Sequence, residues 1–80
     1  MKIRAYFLVE VKDWSGKFLV RDEIRKIEGV KQADVVGSFT WSIIVLVAKT
    51  DAEALRDAIT AIRALKNVKT VIPYVVIKKN

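Results

Sequence analysis

The stretch Val35-Val36-Gly37-Ser38-Phe39-Thr40-Trp41-Ser42, running straight into Ile43-Ile44-Val45-Leu46-Val47-Ala48, decides the fold. From Trp41 to Lys49 both alternations are apolar, Trp41, Ile43, Val45 and Val47 against Ile44, Leu46 and Ala48, which is the pattern of a strand in mid-sheet. The segment from Val30 to Val36 ends at Gly37 and predicts a second, shorter strand, so Gly37 to Thr40 becomes a glycine-bearing turn between the two.

Upstream, Ile3 to Val11 is rich in aromatic and β-branched residues and predicts a strand with one face of Ala5, Phe7, Val9 and Val11 and another of Tyr6, Leu8 and Glu10. Lys12-Asp13-Trp14-Ser15-Gly16 has the chemistry of a loop. From Lys17 to Glu28 the apolar Val20, Ile24 and Ile27 recur at helical spacing among charged residues, and Gly29 supplies a stop. Downstream, Thr50-Asp51-Ala52-Glu53 matches a capping box with Thr50 as the cap. The stripe Leu55, Ala58, Ile59, Ile62 and Leu65 extends a second helix to Lys66, with Asn67 as a left-handed stop. Val68 to Lys79 predicts a last strand whose Pro73, lacking an N–H, belongs at a sheet edge or beside a bulge.

The element order is therefore βαββαβ. Right-handed crossovers then place both helices on one face of an antiparallel sheet of order 4-1-3-2, an α+β, ferredoxin-like sandwich in one domain over residues 1–80. Strands 1, 3 and 4 still carry apolar residues on the opposite face, a larger patch than monomers normally expose, which predicts a homodimer through that face. At 80 residues, without Cys or His, the chain has no disulfide to staple a small core, and association is the remaining route to stability.

Fifteen Lys and Arg against nine Asp and Glu give a net charge of +6, but the basic residues are dispersed and interleaved with acids. An RNA-recognition motif shares this element order, yet it needs aromatics on strand 3, where this chain has one Trp at the entrance. No direct DNA binding is expected, and electrostatic nucleic-acid binding stays a lesser alternative. Neither apolar run approaches the roughly 20 residues that cross a bilayer, and the opening Met1-Lys2-Ile3-Arg4 is unlike a signal peptide, so a cytoplasmic protein is expected. No nucleophile-and-base pair, phosphate loop or metal-ligand spacing occurs; Ser15 near Lys17 is better read as turn chemistry. The expectation is a non-enzymatic protein without cofactor or metal.

Gly37, Ser38, Phe39, Thr40 and Trp41 are the candidate ligand-binding residues. Small hydroxyl-bearing residues stand beside apolar aromatic walls, as at an amphiphilic pocket rim, and a hairpin whose aromatics plug the core or an oligomer interface fits the same residues. Trp14 is either a partner contact or a ring folded over the helix start.

Nearly the whole chain resembles the effector-binding domain of the Lrp/AsnC transcription regulators, the regulation of amino-acid metabolism domain. The resemblance rests on Ala5-Tyr6-Phe7-Leu8-Val9, Ile24-Arg25-Lys26-Ile27-Glu28-Gly29-Val30, Val35-Val36-Gly37-Ser38-Phe39-Thr40 and Ala64-Leu65-Lys66-Asn67-Val68-Lys69. It implies sheet-faced dimers, higher homo-oligomers, and an amino acid or related metabolite held between dimers. It also implies a stand-alone module without the helix-turn-helix, or a structural partner of a full-length regulator. The family's turn runs glycine, any residue, aromatic, aspartate, and this chain has Thr40 in place of the acid. Val71 and Pro73 stand where the family's last strand often has Thr or Ser, so groups that would orient an amino acid are missing.

Overall fold

The computed structural model describes residues 3–37, 41–49 and 51–77. Four strands and two helices follow in the order β1 (Ile3–Val11), α1 (Lys17–Arg25), β2 (Val30–Gly37), β3 (Trp41–Lys49), α2 (Ala52–Arg63) and β4 (Val68–Val75), with a 3-10 turn at Trp14–Gly16 before α1. The sheet order is β2-β3-β1-β4 with every neighbouring pair antiparallel, the expected ferredoxin-like arrangement. The two most uniformly apolar strands are central. Pro73 lies in the edge strand β4 opposite Phe7, and a register irregularity sits further along the same pair, between Glu10 and Val11 where they face Thr70 and Val68.

Period-two alternation places one side of each central strand against the helices. Ala5, Phe7 and Val9 of β1 and Ile43, Val45 and Val47 of β3 are fully buried there, with Ala33, Val68 and Val71 from the edge strands. Val20 and Ile24 of α1 and Leu55, Ala58 and Ile62 of α2 complete the core. Each large side chain among these contributes about 1.5 to 3 kcal/mol by leaving water.

The ends of the helices differ from the sequence reading. α1 stops at Arg25 rather than Glu28, and Gly29, at φ 90°, carries the turn into β2. The cap of α2 is Asp51, whose carboxylate accepts from the Ala54 N–H at 2.7 Å; Thr50, the expected cap, lies outside the described residues. A carboxylate one residue nearer the helix takes the orphan amide. α2 ends at Arg63, short of Lys66, and Asn67 is not left-handed, since no described non-glycine residue has positive φ. Asn67 works through its side chain instead. β4 stops at Val75 rather than continuing to Lys79.

Away from the helices the sheet is bare. Leu8 stands between Ile44 and Ile72, and Tyr6 between Leu46 and Tyr74, across three strands. Tyr6 is 42% exposed, Ile72 39% and Tyr74 56%.

Candidate functional site

Strand polarity gathers three connections at one end of the molecule. β1 finishes there at Val11, β4 begins there opposite it at Val68, and Gly37 pairs with Trp41 where β2 turns into β3. The β1–α1 connection, the β2–β3 turn and the α2–β4 connection therefore share that end.

Of the five candidate residues, the structure places two. Gly37 closes β2 in extended conformation and Trp41 opens β3 as its backbone partner. Gly37 is thus a strand end and not a left-handed turn residue. Ser38, Phe39 and Thr40 lie outside the described residues.

The neighbouring connections are tightly tied. The Asp13 N–H donates to Asn67 Oδ1 at 2.8 Å, and Asn67 Nδ2 donates back to the Asp13 carbonyl at 2.8 Å. Lys12 N–H adds a bond to the Asn67 carbonyl at 2.8 Å, so the carboxamide acts like one more rung of a β ladder. Gly16 lies beneath: a Cβ there would come within 2.8 Å of Asn67 Nδ2. The Asp13 carboxylate accepts from Ser15 Oγ at 2.8 Å and Ser15 N–H at 3.1 Å, and these bonds hold its pKa below the ordinary value by favouring the anion. Ser15 and Lys17 are accordingly separate: Lys17 Nζ donates to the Trp14 carbonyl at 3.4 Å and sits 5.2 Å from the Trp14 ring centre.

Beside this clasp opens a cleft of about 530 Å³, lined by Leu19, Val20 and Leu65 with the charged Lys12, Asp13, Glu23 and Lys66 around them. Nothing in the sequence flags it, because its walls come from segments more than forty residues apart, brought together by Asn67. On the outer side of α1, Lys17 Nζ and the Arg21 guanidinium each lie 5.0 Å from the ring centre of Phe18, which is 50% exposed. Among the described residues no group of three or more acidic, His or Cys side chains is placed to hold a metal, and no helix is long and apolar enough to cross a membrane.

No family model matches the sequence, and no curated protein does either. Solved structures match over nearly the whole chain. The protein TTHA0845 of Thermus thermophilus superposes with a TM-score of 0.88 at 20% identity, over 98% of this chain and 96% of that one. AsnC of E. coli gives a TM-score of 0.86 at 13% identity, with 96% of this chain covering 52% of AsnC. The feast or famine regulatory protein of M. tuberculosis, in complex with L-methionine, gives 0.77 at 23% identity, with 96% of this chain covering 51% of it. The chain thus spans almost all of the first protein and about half of the two regulators. Across low identity and full coverage, what this chain shares with the Lrp/AsnC, or feast/famine, proteins is their ferredoxin-like fold.

Proposed function

We propose that the chain is a non-enzymatic ligand-sensing and oligomerisation module of transcription regulation, which pairs through its open sheet face. An amino acid or related metabolite is held between dimers near Gly37, Ser38, Phe39, Thr40 and Trp41, in a cytoplasmic protein. The observation that carries this reading is the bare face: Tyr6, Leu8, Ile44, Leu46, Ile72 and Tyr74 form a continuous apolar surface that water disfavours. The likeness to a regulator bound to L-methionine supports the ligand class.

Sedimentation at micromolar concentration tests the pairing, which predicts dimers or larger species; a 9.1 kDa species alone would refute it. Calorimetric titration with the twenty amino acids tests the ligand. With Thr40 replacing an acid, binding is expected to be weaker than in relatives that keep one, and silence at millimolar concentration would refute amino-acid sensing.

A second reading is an oligomerisation partner for a full-length DNA-binding relative, which the same open apolar face would serve. Capture of such a regulator from the native host by the tagged chain separates the two.

A further inference from the structure

We propose that a second copy of the chain covers β3, β1 and β4 on the open face of the sheet and leaves β2 in water. The placement rests on the pairing proposed above and sets where that contact stops. The strand registers define neighbouring rows across the face from β2 to β4: Asp34, Ile44, Leu8 and Ile72 in one, Gln32, Leu46, Tyr6 and Tyr74 in the next. Every member of these rows from β3, β1 and β4 is apolar or aromatic, and both members from β2 are polar. The apolar patch therefore reaches the sheet edge at β4 and ends before β2.

What stands on β2 resists burial. Asp34 Oδ2 accepts from Gln32 Nε2 at 2.7 Å, and Asp34 Oδ1 lies 3.5 Å from Arg25 Nη2, in a guanidinium that also pairs with Asp22 at 3.8 Å. The side chains of Asp34 and Arg25 are each 46% exposed, so water completes their solvation. A sheet laid over them would strip that water from a carboxylate whose cation is shared, a loss that so loose an ion pair does not offset. Apolar groups take the centre of an interface and charged ones its rim. A second copy fits the patch because two sheets stack face to face about 10 Å apart with their side chains interleaved. Such stacking also gives an 80-residue chain without cysteine the added core it lacks.

Val36 on β2 and Ile72 on β4 test the placement, since they share this face and are 38% and 39% exposed in the single chain. Methyl spectra of the whole chain are recorded with a water-soluble paramagnetic agent at a concentration where sedimentation shows the two-chain species. The agent is expected to broaden Val36 and to spare Ile72. Ile72→Lys should raise the dissociation constant of the pair by at least about tenfold, and Gln32→Lys, the same change on the same face, by less than about twofold. Equal shielding of Val36 and Ile72, a pair indifferent to Ile72→Lys, or a loss of about tenfold with Gln32→Lys would overturn the placement while the pairing stands. A single chain at every concentration would remove the pairing itself, and the placement with it.

Discussion

At Asn67 one carboxamide joins two connections 54 residues apart in the chain, and it does so with a donor and an acceptor used together. Removing both bonds hands the exposed Asp13 N–H and carbonyl to water, so Asn67→Ala should lower stability by about 1 kcal/mol, read as a fall in the urea midpoint. Gly29 sits at φ 90°, where a Cβ is strained, and Gly29→Ala should lower stability by about 1 kcal/mol in the same assay. Asp13 adds a dependence on acid. Its carboxyl titrates below the ordinary 3.8 in the folded chain because Ser15 bonds the anion, so its contribution is complete above that value and disappears as pH falls through the lowered one. The group is fully exposed, which keeps the effect small and salt-sensitive. Asp13→Ala should flatten the loss of thermal stability below about pH 4 and leave its neutral-pH slope unchanged.

The elements were legible in proportion to how local their causes are. β1 and β3 could be bounded from composition, because strands buried on one face and half-covered on the other are apolar throughout. The stripes of Val20 and Ile24, and of Leu55, Ala58 and Ile62, likewise announce the buried sides of α1 and α2. Helix ends are settled by single hydrogen bonds, and there the pattern misled: it pointed to Thr50 as the cap and to a left-handed stop at Asn67, where the structure has the Asp51 carboxylate and the Asn67 side chain. The structure selects Asp51, so Asp51→Ala should destabilise the fold by about 1 kcal/mol by loss of the bond to Ala54, seen as a lower melting temperature. The strand partners of the β2–β3 turn could be read from its glycine, whereas the cleft could not, since no spacing links Leu19 to Leu65 until the sheet has formed.

For the molecule as a whole, the bare face decides how copies would meet. Leu46 pairs with Tyr6 in its middle, and a lysine there would put a charge into any face-to-face contact. Leu46→Lys should cost about 2 kcal/mol or more per protomer in association while leaving the helix-facing core untouched, shifting sedimentation toward the single chain. The rims of the same sheet are treated differently. Arg25 Nε donates to the Ala33 carbonyl on edge strand β2 at 3.0 Å, and on edge strand β4 Pro73 has no N–H to offer. Each rim is thereby poorer in groups that a further strand could use. Growth by adding strands end over end, the route to open-ended fibres, is discouraged on both sides, while stacking of two faces uses up its own surface and stops at a pair. The geometry thus favours assemblies that close over those that run on.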